Sequence, residues 1–249
     1  DAGTALEVTD PANRELDMVF QFEHVGLDHG TSKWDVHPLR MRDLKASFGR
    51  WQAGLADVGW NSLYWDNHDQ PRAVSRFGDD SPEFRRDSAT CLATLLHLHR
   101  GTPYVYQGEE LGLPEHTSLP DEVRQDPTFA RTGGLELGRD GCRVPMAWEQ
   151  GAPALGFSPT GAAWLPQPAE WAQLARDVQE DDPESTLWLY RTLLATRRAE
   201  NLGAGELEWL DGYGEDVLAF RVSTGAAGSV TVLANAGSTP APLPAGTVL

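Results

Sequence analysis

Apolar positions in the first half of the chain alternate between strand-like and helix-like spacing. Residues 16–24 (Leu-Asp-Met-Val-Phe-Gln-Phe-Glu-His) predict a strand that ends in Glu23 and His24. A loop is expected over 26–38. Leu44, Phe48, Trp51 and Leu55 then recur at intervals of four, three and four, which predicts an amphipathic helix closed by Gly59. Trp60, Leu63, Tyr64 and Trp65 are residue types that fill a buried pleated surface, so a second strand starts at Trp60. It breaks into Asp66-Asn67-His68-Asp69-Gln70-Pro71-Arg72, where Pro71 fixes the turn. Ser81-Pro82-Glu83 marks a helix start. Phe84, Cys91, Leu92, Leu95, Leu96 and Leu98 give that helix its apolar face, and Gly101 ends it. Residues 103–107 predict a third short strand, broken by Gly108-Glu109-Glu110-Leu111-Gly112. Strands alternating with helices imply a parallel sheet with right-handed crossovers, its three polar strand ends on one rim. Ahead of all these elements, residues 1–14 carry only turn punctuation, at Asp10-Pro11 and Asn13.

The second half has a different texture. Residues 113–183 are rich in Pro and Gly and weakly periodic, and a loop this long is often functional. Inside it stands Gly138-Arg139-Asp140-Gly141-Cys142-Arg143-Val144-Pro145-Met146-Ala147-Trp148, charged, tight and aromatic-ended. Leu187, Tyr190, Leu193 and Leu194 mark a helix that begins near Asp182-Pro183-Glu184 and ends near Arg197-Arg198. Beyond Gly203 the period changes to two. Residues 207–210, 217–222 and 230–234 predict a small antiparallel β domain.

Composition narrows the function without fixing it. The 249 residues suffice for one large α/β domain or two ordinary ones, and 40% hydrophobic residues with nine Trp and eight Phe supply a core. A net charge of −17 argues against nucleic acid and anionic membrane, which need clustered Lys and Arg. Neutral ligands such as sugars remain compatible, with Trp available for stacking. Cys91 and Cys142 form no metal-spacing motif and no disulfide framework, which favours a reducing, cytoplasmic compartment. No stretch reaches the roughly 18 apolar residues of a membrane span. His97 and His99 stand two apart on a helix, on different faces, and are assigned no metal. The polar run after Trp65 has two readings. In a parallel α/β barrel, the strand end is where reacting groups sit. A loop whose side chains cap the next helix would have the same composition.

Several ordered motifs together resemble the α-amylase superfamily, glycoside hydrolase family 13, in its bacterial α-glucosidase and oligo-1,6-glucosidase branch. They are Met18-Val19-Phe20-Gln21-Phe22-Glu23-His24, Gly59-Trp60-Asn61-Ser62-Leu63-Tyr64-Trp65 running into Asn67-His68-Asp69-Gln70-Pro71-Arg72, and Gly101-Thr102-Pro103-Tyr104-Val105-Tyr106-Gln107-Gly108-Glu109-Glu110. The stretch 138–148 and the order of helix and terminal β domain also fit. The resemblance implies an α/β fold: the C-terminal part of a (β/α)8 TIM barrel, strands six to eight, followed by a small antiparallel β domain. Residues 1–202, including the loop 113–183, would belong to the barrel and 203–249 to an incomplete β domain. Strands one to five would precede Asp1.

Retaining glycoside hydrolysis needs a nucleophilic carboxylate and a carboxylic acid about 5–5.5 Å apart. By the resemblance these lie on strands four and five, outside this chain, so the isolated chain is expected to be inactive and poorly stable. Asp69 matches the family's third carboxylate, which favours the oxocarbenium-like ring. His68 matches a histidine that hydrogen bonds the −1 sugar, Arg143 an arginine beside that sugar, and Phe22 an aromatic wall on the acceptor side. Glu23 and His24 are expected to orient the rim. Glu109 and Glu110 are expected to act as supports, and Arg72 and Arg76 to form structural ion pairs, with bracing of Asp69 or binding of a substrate hydroxyl as the alternatives. Trp148 and Trp164 are expected to pack under the long loop, with stacking on sugars as the alternative. The implied activity is an α-glucosidase acting on α-glucoside disaccharides or short oligosaccharides, with a transglycosylating relative or a non-catalytic amylase-fold interaction subunit as alternatives. The partners implied are that substrate and an N-terminal barrel half. No organic cofactor is implied, and calcium ligands known in the wider family would lie outside the chain.

Overall fold

The structure, a computed structural model, describes residues 1–31, 35–225 and 228–248. The expected loop 26–38 therefore falls partly outside the described residues. In chain order the helices are α1 (Ala2–Thr9), α2 (Met41–Gly54), α3 (Ala73–Phe77) and α4 (Arg85–His97), then α5 (Pro127–Arg131), α6 (Arg176–Glu180) and α7 (Thr186–Ala199). The strands are β1 (Ser62–Leu63), β2 (Thr102–Pro103), β3 (Glu206–Leu210), β4 (Val217–Ser223) and β5 (Ser229–Asn235). Two compact units result. The first takes Asp1–Leu63, Thr94–Tyr104 and Leu193–Leu249; the second takes Tyr64–Ala93 and Val105–Thr192.

In the first unit, β1 and β2 pair in parallel, Ser62 opposite Thr102 and Leu63 opposite Pro103. Val19 adds a single parallel bridge to Asn61, reinforced by Ser62 Oγ donating to the Val19 carbonyl at 2.8 Å. Two of the three expected strands are thus present in the expected parallel sense but much shorter than the apolar runs, and the strand expected over 16–24 is reduced to the one bridge at Val19. Pro103 has no N–H to extend the ladder. Beyond Phe20 the backbone turns away: the Gln21 side chain accepts from Glu23 N at 2.8 Å, and a 3-10 turn comes next at His24–Gly26.

Helix α2 buries Met41, Leu44, Phe48 and Trp51 along one face, as its periodicity predicts. Trp51 and Leu55 pack with Ala5, Leu6 and Val19. Ala5 lies on α1, a helix where the residue types predict only a turn. Asp1 caps it by accepting from Thr4 N at 2.9 Å, and Asp10-Pro11 is its stop. Farther along, β3, β4 and β5 form an antiparallel meander in which Trp209 faces Phe220 and Phe220 faces Val232. His99 is wedged among Phe48, Trp209 and Phe220. Burial pushes its imidazole down to about 4, so it is a neutral core residue. The chain after α4 leaves carbonyls to satisfy, and Arg197 on α7 donates to those of His97 (2.9 Å), His99 and Gly101.

The second unit is built from the stretch expected as a loop. Leu111, Leu113, Leu119, Val144, Met146, Leu165, Trp171 and Leu187 form one buried cluster. Each fully buried aliphatic or aromatic side chain there contributes about 1.5–3 kcal/mol. Residues 113–183 therefore fold on their own apolar anchors, spaced irregularly because short helices and turns, rather than one long period, present them. Trp65 is fully buried in this unit and donates its indole N–H to the Leu92 carbonyl of α4 at 2.8 Å.

Candidate active site

The second unit carries the polar run that comes after Trp65. Its two ends are anchored. At one end, Asp66 Oδ2 accepts from Ala73 N at 2.7 Å and so caps α3. At the other, Arg72 N donates to Glu115 Oε2 at 2.9 Å, and the buried Arg72 guanidinium donates to the carbonyls of Gln107 (2.8 Å) and Val144 (3.4 Å). Its plane lies over Trp171 and Tyr106. Gly108 makes this approach possible: its φ is +89°, and a Cβ there would lie 2.7 Å from Arg72 Nη1. Arg76 donates to Gln70 Oε1 at 2.7 Å. Asp69 draws its arginine partners from elsewhere in the chain. Arg72 braces the segment mainly through carbonyl groups and not as the ion pair its charge suggested.

Between the anchors stand His68 and Asp69, both partly open to solvent. Asp69 Oδ1 accepts from two guanidinium groups, Arg139 Nη1 at 2.7 Å and Arg143 Nη2 at 2.9 Å. His68 Nε2 lies 3.5 Å from Asp69 Oδ2, and Arg143 Nε donates to the His68 carbonyl at 2.7 Å. Partial burial alone would raise the Asp69 carboxyl. Arg139, His68 and Arg143 outweigh it and hold the group below the usual aspartate range. Asp69 is accordingly an anion with fixed geometry and an exposed face (43% of its side chain) available to a ligand.

Three of the four expected site residues, His68, Asp69 and Arg143, are brought together. Phe22 belongs to the other unit, where its ring is 59% exposed. Glu23 and His24, also in that unit, are engaged locally. Glu23 pairs with Arg50 and accepts from Trp51 Nε1 at 2.9 Å, while buried His24 meets Gln21 Nε2 at 2.7 Å. Trp148 and Trp164 are less buried than expected, at 43% and 48% exposure, and Trp164 lines an open cleft of about 530 Å³.

Arg139 is the Asp69 partner to which residue type and spacing assigned no role. Its position is set by Asp126, whose fully buried carboxylate pairs with Arg139 Nε, accepts from Arg139 N at 3.1 Å and caps α5 through Thr128 N at 2.8 Å. Burial opposes this charge, but Arg139 and the backbone donors hold the Asp126 carboxyl far below its ordinary value. Asp140 Oδ2 accepts from Gln125 N and Asp126 N at 2.8 and 2.9 Å and ties the two arms of the loop together. The available signal was the four-residue spacing of Arg139 and Arg143 around the tight Gly141–Arg143 turn, which aims both at one point. Among the described residues, no group of three His, Cys, Asp or Glu side chains is placed to hold a metal ion.

Asp69, with His68 and two Arg side chains around it, presents a partly exposed anion on a segment that follows a parallel strand. The chain matches the alpha amylase catalytic domain model over residues 3–205 and belongs to the alpha-amylase family. It is similar to the oligo-1,6-glucosidase of Halalkalibacterium halodurans, with 43% identity over 217 residues, which is 79% of this chain and 38% of that enzyme. Among solved structures it resembles Bacillus licheniformis trehalose-6-phosphate hydrolase (TM-score 0.83, 31% identity, 94% of this chain and 45% of the other). It also resembles a trehalulose synthase variant in complex with Tris (TM-score 0.84, 29% identity, with the same coverage). These neighbours are TIM-barrel enzymes of the family. The chain thus spans less than half the length of the relatives it matches.

Proposed function

We propose that this chain is the part of a retaining α-glucosidase that supplies its third carboxylate and −1 sugar contacts. Asp69 stabilises the oxocarbenium-like transition state, and His68 and Arg143 hold the glucose. Phe22 forms an acceptor-side wall. The nucleophile and acid/base come from barrel strands four and five, outside this chain, so the isolated chain is inactive. The bridge at Val19 and the parallel strands β1 and β2 support reading these segments as barrel strands six, seven and eight in order. On that reading, residues 1–202 belong to the barrel and 203–249 to the C-terminal β domain, in a cytoplasmic protein acting on short α-glucosides.

The observation that carries the proposal is the convergence of Arg139 and Arg143 on Asp69 Oδ1 with His68 beside it. A carboxylate meant to face a developing positive charge must stay ionised and must not move as that charge forms. Two guanidinium groups do both. Because a trehalulose synthase is among the structural neighbours, a transglycosylating outcome of the same site is the second reading.

The test is glucose release from maltose, isomaltose and an aryl α-glucoside. The chain alone should release none. Adding the complementary barrel half from a relative should restore release, and Asp69→Asn should remove it again by about 100- to 1,000-fold. Robust release by the chain alone would place the nucleophile and acid among its own carboxylates and refute the assignment. Transfer products in place of glucose would favour the second reading.

A further inference from the structure

Beneath the segment that carries His68 and Asp69, two acidic side chains are buried against each other. Asp66 is 4% and Glu109 8% exposed. Asp66 Oδ2 takes the Ala73 N–H, whereas Asp66 Oδ1 is buried and finds no N–H or neutral O–H donor. On the other side, Glu109 Oε1 accepts from the Tyr190 hydroxyl at 2.6 Å, and Oε2 accepts from Tyr106 N at 3.4 Å. Both carboxyl groups line one small cavity and each acts on the ionisation of the other. Ionised carboxylates only accept, so a proton on one of the two is what would give the buried Asp66 Oδ1 a donor. The cavity they both line, walled also by Trp65, Leu92 and Leu113, is about 10 Å³, room for one water at most.

We propose that Asp66 and Glu109 share one proton, carried by Glu109, and act as positioning residues for the segment bearing His68 and Asp69. The bearing on catalysis rests on the glycosidase reading; the shared proton does not. Arg72 and Arg76 face Asp66 and favour its charged form. The groups that act most strongly on Glu109 are Asp66, the α7 hydroxyl of Tyr190 and the Tyr106 N–H. Glu110, Glu115, Tyr106 and Cys142 also sense the Asp66 charge. The neutral Glu109 donates to Asp66, Asp66 remains a carboxylate, and its second oxygen closes the loop onto Ala73. The asymmetry of neighbours decides which acid keeps the proton.

Burial first, and the Asp66 charge second, push the Glu109 carboxyl well above the ordinary glutamate range. The folded state therefore binds a proton that the unfolded state has released. Stability contributed by this pair is complete below the unfolded glutamate value and is lost as pH rises through the folded one. One such proton makes the folding equilibrium constant fall by up to about tenfold per pH unit in that window.

The experiment is urea unfolding of the 249-residue chain from pH 5 to 8, with infrared detection of protonated carboxyl and NMR of the His68 ring. Glu109→Gln replaces the proton by an amide donor. It should remove a protonated-carboxyl band at neutral pH, flatten the decline with pH and leave the His68 resonances in place. Glu109→Ala should displace them. Tyr190→Phe removes a donor that favours ionised Glu109 and should move the decline to higher pH. Glu115→Gln, whose carboxyl burial lifts to about 7, should leave the Glu109 band intact. An unchanged neutral-pH band in Glu109→Gln, a His68 displacement equal to that of Glu109→Ala, or failure of Glu109→Gln to fold where Glu115→Gln folds would each overturn the proposal. None of these readouts needs substrate, so a failed glycosidase assay is a separate result.

Discussion

Replacing Asp126 by Asn tests whether the arginine geometry at Asp69 is held from behind. Asp126 Oδ1 accepts from Thr128 N, and Oδ2 accepts from both Arg139 N and Arg139 Nε. An asparagine oriented to keep the helix cap puts its NH2 against the two Arg139 donors. The loss is one charge-assisted hydrogen bond, about 1.5–3 kcal/mol, and one ordinary bond of about 1 kcal/mol. Asp126→Asn should therefore cost about 2.5–4 kcal/mol, and Asp126→Ala roughly 1 kcal/mol more through the lost cap. With a typical urea dependence, the midpoint falls by about 1–2 M. The pH dependence has a definite sign. A carboxyl held low in the folded state contributes stability above its unfolded value, and that stability is lost as pH falls through the folded one. The gap between wild type and Asp126→Asn should thus be full at pH 7 and shrink under strongly acidic conditions. In the same variant Asp69 should titrate closer to an ordinary aspartate. A loss under about 1 kcal/mol, or one that does not diminish in acid, would refute the bracing role.

Two further tests concern single arginines. Arg143→Lys keeps the charge but loses the fork that joins the His68 carbonyl to Asp69 Oδ1; in the complemented enzyme it should lower kcat/KM by about 10- to 100-fold, read from steady-state glucose release. Arg197→Met should destabilise the chain by about 2–4 kcal/mol in denaturant unfolding, because the carbonyls of His97, His99 and Gly101 lose a shared donor that packing cannot replace.

Much of the site was legible in the chain because its residues are close in sequence. His68 and Asp69 are neighbours on a segment whose apolar-to-polar break is written in residue types, and Arg143 stands in a motif that the family resemblance identified. Of the two readings of that polar run, the helix-end one fits Asp66, and the reacting-group one is the proposal made for Asp69. Asp66 caps α3 and faces inward, while Asp69, three residues on, faces outward to the arginines. Hydrophobicity could not separate them, since both are aspartates in one turn. Arg139 carried only the weak signal of its spacing from Arg143, because its placement depends on Asp126, thirteen residues away and fixed only by folding.

Local period and turn residues were enough to specify the helix of residues 41–54, the alternation of the terminal strands and the parallel sense of the short sheet. The chain also carried α1, whose helical spacing of Ala2, Ala5, Leu6 and Thr9 was present but hidden by the stop at Asp10-Pro11. That residues 113–183 form a packed body is a product of folding. Their apolar residues share no period, and Leu113, Val144, Leu165 and Trp171 meet through non-local burial alone. The charge state of the acids likewise emerges only in three dimensions. Asp69 and Glu109 are ordinary carboxyls as written. Two guanidinium groups lower one, and burial beside a second carboxyl raises the other, because ionisation depends on what lies within a few ångströms and not on what is adjacent in the chain.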